Sequence, residues 1–227
     1  MLYTEEAVRA NIRNREGKRV FYLGKGDQLT SGARDWLQRE RIPILPPSQA
    51  KPDRYRVLSG GFAEEKPEHM THLNAETLVC KTHPRIRFRG KMDTLEAELL
   101  LASQTCTDFQ KELREILGLA RKILRCDVLE EPLPEAPLCG LNEQEQRKRS
   151  HFPQDYYGQP HFMPEPDDGI QIAWLNRARC AAREAELAAA EAFSDRDGQM
   201  TREDLLRVLN RMSSMLYILM VRQKAGR

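Results

Sequence analysis

The chain has 227 residues, and its 36 lysines and arginines stand against 34 aspartates and glutamates, a formal net charge of +2. So balanced a charge gives no overall field that would attract nucleic acid, and we expect no nucleic-acid partner. No apolar run approaches the roughly 18 residues that a membrane-spanning helix needs, so we expect no membrane partner either.

The first 50 residues are predicted to form a small α/β unit. The apolar run Val20–Leu23 indicates a strand, and Thr30 or Ser31 is a helix cap for a segment that continues to Arg39. The apolar residues of 42–45 indicate a second strand. Strand, helix and strand together are typical of a small α/β unit.

A helical bundle is predicted to occupy residues 69–227, after a linker over residues 51–68 that is rich in proline, glycine and charge. The spacing of apolar residues predicts helices over 94–103, 107–125, 170–193 and 202 to about 221. The expected fold class is therefore mainly α, with the α/β unit as an N-terminal addition. The proline-rich connection over residues 131–169 is too long for an ordinary bundle loop, and we expect it to be a lid or a binding loop.

Charged and polar residues follow one face of the last two predicted helices. Arg179, Arg183 and Glu186 are spaced at i, i+4 and i+7, and Asn210 and Tyr217 interrupt an otherwise apolar helix. Such residues form either a solvated surface or the lining of a site, and spacing alone leaves both readings open.

Three motifs occur in the order found in one enzyme family. RARCAAREAE at 177–186 is similar to the Arg-x3-Arg-x-Ala-Glu signature of the ATP:cob(I)alamin adenosyltransferases, and LNRMSS at 209–214 resembles their Leu-Asn-Arg-Leu-Ser-Asp segment. RIRFRGKMDTLEA at 85–97 resembles a third segment. With TSGARDWLQRERIPI at 30–44 and HMTHLNAETLV at 69–79, most of the chain looks like the ethanolamine-utilisation type of corrinoid adenosyltransferase.

This resemblance implies transfer of the 5′-deoxyadenosyl group of ATP to the cobalt of reduced cobalamin, with release of triphosphate. Arginine donors and Mg²⁺ would neutralise the charge that develops on the leaving triphosphate. By resemblance, Arg183 and Asn210 contact ATP, and Glu186 orients an arginine or the nucleotide. Arg179 would pair with Asp93 across a subunit interface.

Phe162 matches the aromatic residue with which the family displaces the lower axial ligand of cobalt. The alternative is an ordinary loop phenylalanine that packs over the bundle. The family's N-terminal phosphate loop has only a faint counterpart in GKGDQLT at 24–30. Lys81, Thr82 and Arg85 are therefore candidates for triphosphate binding by position only.

Four residues of metal-ligand type lie close together in the sequence, namely His69, His72, Cys80 and His83. They are candidate ligands for zinc or iron, although their spacing matches no standard zinc finger. Since His72 could equally be a packing histidine, a metal site and a structural role both remain open.

The resemblance also implies a homo-oligomer, expected to be a trimer, with a reductase and a cobalamin-dependent ammonia-lyase as partners. The five widely spaced cysteines are expected to be reduced, which indicates the cytoplasm, and the family context suggests a bacterial microcompartment. Two alternatives stay open: a corrinoid or nucleotide carrier without catalysis, and a microcompartment scaffold with the N-terminal unit as its docking element.

Overall fold

The computed structural model describes residues 2–15, 18–46, 55–195 and 197–226, and the chain divides into two compact units. One unit comprises residues 1–55 with 62–65, and the other comprises residues 56–61 with 66–227. The predicted fold class, mainly α with a small α/β unit, is confirmed. Among the described residues, no helix is both long enough and apolar enough to cross a bilayer.

The first unit contains the predicted strand, helix and strand together with shorter elements that the sequence analysis missed. Its elements are β1 (Leu2–Tyr3), α1 (Glu5–Ala10), β2 (Arg13–Arg15), β3 (Lys18–Tyr22), β4 (Gln28–Leu29), α2 (Ser31–Arg39) and β5 (Ile44–Leu45). The hydroxyl of Thr30 accepts a hydrogen bond from the backbone N–H of Ala33 at 3.3 Å, which caps α2. Strands β3 and β5 pair in parallel, and Phe21, Trp36 and Leu37 lie in the core of this unit.

Further short strands follow along the chain, before the helical bundle. They are β6 (Tyr55–Val57), β7 (Phe62–Ala63), β8 (Met70–His72) and β9 (Thr77–Cys80). Strand β9 pairs in parallel with β6 and antiparallel with β8. Part of the predicted linker over 51–68 is therefore strand, while residues 51–54 lie outside the described residues.

Four long helices form the bundle of the second unit. They are α3 (Pro84–Thr105), α4 (Gln110–Leu129), α7 (Gly169–Phe193) and α8 (Glu203–Lys224). The interior positions of all four helices make up one buried apolar cluster. Helix α3 begins ten residues before the predicted start, because the ring nitrogen Nδ1 of His83 accepts from the backbone N–H of Arg85 and Pro84 occupies the first helical turn.

The connection over residues 131–169 contains two helices that the sequence analysis did not predict, α5 (Glu143–His151) and α6 (Pro153–Tyr157). Helix α5 starts with a capping box, in which Asn142 and Glu145 exchange side-chain and backbone hydrogen bonds of 2.8 and 2.9 Å. It packs against α8, with Gln146 and Ser150 buried. Within this connection, residues 131–142, 152 and 158–168 lack α-helix.

Candidate active site

The predicted polar residues of α7 and α8 meet on one surface, which we call the α7–α8 polar face and define as Arg179, Arg183, Glu186 and Asn210. The amide Nδ2 of Asn210 donates to Oε1 of Glu186 at 2.9 Å, which joins the two helices. On the other side, Oδ1 of Asn210 accepts from the guanidinium of Arg211. Both ends of the Asn210 amide are therefore held, and its orientation is fixed.

Neither arginine of this face is neutralised by an acid among the residues that the structure describes. Arg183 is exposed and has no hydrogen-bond or ion-pair partner within the described part of the chain. Arg179 is half-buried, and its Nε and Nη2 both donate to Oδ1 of Asn176, at 3.1 and 2.9 Å. Asn176 was not predicted from the sequence, although it precedes Arg179 by three residues on the same helix face. Two positive charges one turn apart are therefore available to an anion.

Helices α7 and α8 are consecutive and antiparallel, so the bond between Glu186 and Asn210 sets their register. Moving seven residues back from Glu186 reaches Arg179, and moving seven residues forward from Asn210 reaches Tyr217. Each step is two helical turns, about 10 Å. Arg179 and Tyr217 therefore lie at one level, and Arg183 lies between that level and the Glu186–Asn210 pair.

Phe162 lies beside Tyr217. Their rings are stacked, with centroids 6.2 Å apart and an interplanar angle of 27°. The ammonium of Lys224 is 4.6 Å from the centroid of the Phe162 ring, within the range of a cation–π contact. Phe162 is half-buried and packs against the bundle core. The geometry fits both readings of this residue, a packing role and a place next to the polar face, so its role in displacing an axial ligand stays a prediction.

The segment that carries Phe162 is also fastened at its end. The ammonium of Lys224 donates to Oδ1 of Asp168 at 2.5 Å, which joins the last turn of α8 to the residues before α7. This hydrogen bond lowers the pKa of the Asp168 carboxyl below its ordinary value.

Asp93 is exposed on α3 and makes no ion pair or hydrogen bond among the described residues. Within the chain, Asp93 makes no ion pair with Arg179, because the Arg179 guanidinium donates to Asn176 instead. Leu100 and Leu101, each 46% exposed, follow about two turns later on the same side of α3. The resemblance implies that the Asp93–Arg179 pair would form between subunits, which a single chain does not test, so the pair stays a prediction.

The three candidates for triphosphate binding have different surroundings. Lys81 is exposed and pairs with Glu68 at 2.9 Å, and Thr82 is exposed. Arg85 instead donates through Nε to Oδ1 of Asp127 at 2.9 Å and through Nη2 to the Asp127 carbonyl at 2.8 Å. Arg85 is therefore already engaged inside the bundle, whereas Lys81 and Thr82 face solvent.

Asp127 is the centre of a charge cluster that the sequence analysis missed, which we call the buried arginine cluster (Arg85, Arg89 and Asp127). The Asp127 side chain is fully buried, and its second oxygen accepts from Nε of Arg89 at 2.6 Å. Arg89 also donates to the backbone carbonyls of His72 and Leu73, at 3.2 and 2.7 Å. The cluster therefore ties α4, α3 and the end of β8 together.

The four candidate metal ligands do not converge. Within the described ranges, no group of three or more His, Cys, Asp or Glu side chains is placed to hold a metal ion. The Nδ1 of His83 instead accepts from the backbone at the start of α3, and His69 and Cys80 are exposed. His72 is opposite Leu78 in the β8–β9 pair, and Cys80 is opposite Met70. The geometry of one chain therefore does not fit the candidate zinc or iron site.

Comparisons with known proteins agree with the motifs on α3, α7 and α8. The family model described as Cobalamin adenosyltransferase matches residues 62–223. A relative named Corrinoid adenosyltransferase EutT from Salmonella typhimurium (strain LT2) is 32% identical over 242 residues, covering 96% of this chain and 90% of the relative. A relative of the same name from Escherichia coli (strain K12) is 31% identical with the same coverage. The chain therefore belongs to the cobalamin adenosyltransferase family.

Proposed function

We propose that the chain transfers the 5′-deoxyadenosyl group of ATP to the cobalt of reduced cobalamin, giving adenosylcobalamin and triphosphate. Membership of the family and the names of its relatives support this reaction. The observation that carries it in the structure is the α7–α8 polar face, where Arg183 has no partner within the described part of the chain and Arg179 has only a neutral one.

In this reaction the electron pair of cobalt attacks the 5′ carbon of ATP, and the bond from that carbon to the phosphate oxygen breaks. The leaving triphosphate takes the bonding electrons, so negative charge grows on its oxygens. Arg183 would stabilise that charge, together with Mg²⁺ that enters with ATP. Asn210 and Glu186 would orient the nucleotide, since the Asn210 amide is held at both ends.

Phe162 would lie below the corrin ring and exclude the lower axial ligand. Its ring is level with Arg179, one turn of α7 beyond Arg183, which would bring the cobalt and the 5′ carbon to the same end of the polar face. A cobalt without its lower ligand is easier to reduce, so this position would help to make the nucleophile.

The active enzyme would be a homo-oligomer, and we expect a trimer in the cytoplasm or inside a microcompartment. The exposed Asp93, which has no partner among the described residues, would meet Arg179 of a neighbouring subunit, and Leu100 and Leu101 would be covered in the same contact. A reductase would supply the electrons, and a cobalamin-dependent ammonia-lyase would receive the product. Lys81 and Thr82, which face solvent, remain the candidates for further contacts to the triphosphate.

An anaerobic assay with ATP, Mg²⁺ and chemically reduced cobalamin tests the proposal. We expect adenosylcobalamin and triphosphate to appear in equal amounts. Binding of ATP or cobalamin without product would identify a carrier, and absence of any ATP affinity would favour a scaffold. A protein carrying Arg183→Ala is the matched control, because it shows how much product forms without this arginine, and the exposed position of Arg183 leads us to expect an intact bundle.

A further inference from the structure

Phe162 lies in a stretch that no regular secondary structure holds. Residues 159–165 form neither helix nor strand, and Phe162 is only half-buried. Without a helical or sheet ladder to fix the backbone, the orientation of its ring depends on the side chains that contact it. These contacts converge on Tyr217.

Tyr217 is held by the residue that precedes Phe162. The ring nitrogen Nδ1 of His161 is 2.9 Å from the Tyr217 hydroxyl oxygen, and the two rings stack with centroids 5.7 Å apart and an interplanar angle of 17°. The other nitrogen, Nε2, is 3.0 Å from the backbone carbonyl of His151 at the end of α5. Tyr217 therefore stacks against two consecutive residues of the segment 159–165, His161 and Phe162.

The chemistry of these groups gives the hydrogen bonds a direction. The His151 carbonyl can only accept, so Nε2 of His161 carries the proton and donates to it. In the neutral ring Nδ1 then accepts, and the Tyr217 hydroxyl donates to it. The hydroxyl oxygen keeps its lone pairs free to accept from the backbone N–H of Phe162, at a longer 3.4 Å.

We propose that Tyr217 is the positioning residue for Phe162, and that His161 holds Tyr217 in place through its hydroxyl. This inference rests on the proposed function, in which Phe162 excludes the lower axial ligand of cobalt. Tyr217 supports the Phe162 ring by stacking and the Phe162 backbone by a hydrogen bond. The ammonium of Lys224, which is bonded to Asp168, also contacts the Phe162 ring. The exclusion of an axial ligand depends on the distance between this ring and the cobalt, and a shift of about 1 Å can reduce a rate about 100-fold.

The variant Tyr217→Phe tests the role of the hydroxyl, because it keeps the aromatic ring and removes the two hydrogen bonds. We expect adenosylation that starts from cob(II)alamin to fall about 10-fold to 100-fold. Adenosylation of pre-reduced cob(I)alamin should fall far less, since that route does not need the axial ligand removed. The paramagnetic-resonance signature of four-coordinate cobalt with ATP bound should weaken in parallel.

His161→Phe removes the bond between His161 and the Tyr217 hydroxyl from the other side, and the double variant should lose less than the sum of the two single losses. Tyr156→Phe is the matched control, since it removes a tyrosine hydroxyl from an exposed position nearby. It should leave both routes and the cobalt signature unchanged. Thermal unfolding of all variants checks that the bundle is intact.

Phe162→Ala separates failure of this inference from failure of the proposed function. If Phe162→Ala suppresses the cob(II)alamin route while Tyr217→Phe leaves it and the signature unchanged, Tyr217 does not position Phe162. Equal losses in both routes for Tyr217→Phe would also overturn the inference, because they would indicate a general structural role. If Phe162→Ala itself leaves the route from cob(II)alamin unchanged, the proposed role of Phe162 is wrong, and the inference is wrong with it.

Discussion

The buried arginine cluster and the α7–α8 polar face place arginines on helices of the same bundle, with opposite outcomes. In the cluster, both oxygens of the fully buried Asp127 are bonded to arginines, at 2.9 and 2.6 Å. On the polar face, the exposed Arg183 has no partner in the described ranges. Arginines whose charge is neutralised inside the chain serve its stability, whereas an arginine left without an acid is available to a ligand.

The difference follows from the cost of taking charges out of water. A buried carboxylate is tolerated only when it is paired and fully hydrogen-bonded, which explains why Asp127 takes two guanidinium groups. An exposed arginine remains hydrated and incurs no such cost. The comparison predicts that substitutions in the two regions will have separable effects, one on catalysis and one on stability.

The largest effect is expected for Arg183→Ala. Loss of a donor to the developing charge should lower turnover with ATP and cob(I)alamin by about 100-fold to 1000-fold. The melting temperature should hardly change, because the exposed Arg183 makes no hydrogen bond or ion pair with the described residues. Arg121→Ala, which removes an exposed arginine paired with Glu96 on another face, should keep full turnover. Normal turnover in the Arg183→Ala variant would show that the triphosphate binds elsewhere.

The next effect concerns stability. Asp127→Asn should lower the free energy of unfolding by about 3 kcal/mol, the low end for a broken buried pair, because Arg85 and Arg89 keep 16% and 17% exposure and can be partly hydrated. Urea denaturation measures this loss. Turnover per folded molecule should stay near normal, and a loss of turnover as large as that of Arg183→Ala would show that the two regions are not separate.

A smaller effect is expected for Asn210→Ala. The substitution removes the hydrogen bond to Glu186 and the fixed amide, so the KM for ATP should rise about 10-fold, the equivalent of about one hydrogen bond. Steady-state kinetics at saturating cob(I)alamin gives this value. The conservative change Glu186→Gln keeps an oxygen for Asn210 to bond, and should therefore raise KM less. Equal KM values for wild type and Asn210→Ala would remove this amide from the nucleotide site.

The smallest effect is a pH dependence of the tie between Lys224 and Asp168. The pKa of Asp168 is lower in the folded chain than its ordinary value, so its contribution to stability is present above the unfolded pKa of 3.8. That contribution is lost as the pH falls through the lowered value. The difference in melting temperature between wild type and Lys224→Gln should therefore shrink from pH 6 to pH 3. A constant difference would mean that this ion pair adds no stability.

The helices that could be predicted from the sequence are those whose buried face shows a helical spacing of apolar residues. Helices α7 and α8 begin and end within about three residues of prediction because their interior faces are apolar along their whole length. Helix α5 was missed because its sequence, EQEQRKRSH, has no apolar residue. Its local signal was the Asn142-x-x-Glu145 capping box. The first turns of α3 were missed for a similar reason, since His83 and Pro84 mark the start without an apolar pattern.

The candidate site was predictable where its residues share a helix and not where they come from distant segments. The spacing of Arg179, Arg183 and Glu186 is enough to place them on one face. Tyr217 and Phe162 are 55 residues apart in the sequence, and Arg85 and Asp127 are 42 residues apart. The spacing of residues within one helix does not indicate such distant contacts. For that reason Arg85 was predicted to bind triphosphate, while its partner in the bundle could only be found in the fold.

The most direct test of the central claim is the binding of inorganic triphosphate, measured by calorimetry on wild type, Arg183→Ala and Asp127→Asn at one salt concentration. If the arginine without an acid partner is the one that serves the ligand, Arg183→Ala should raise the Kd for triphosphate at least about 10-fold, the usual value of a charge-assisted hydrogen bond. Asp127→Asn should leave the Kd unchanged. An unchanged Kd in Arg183→Ala, together with a weakened one in Asp127→Asn, would contradict the account.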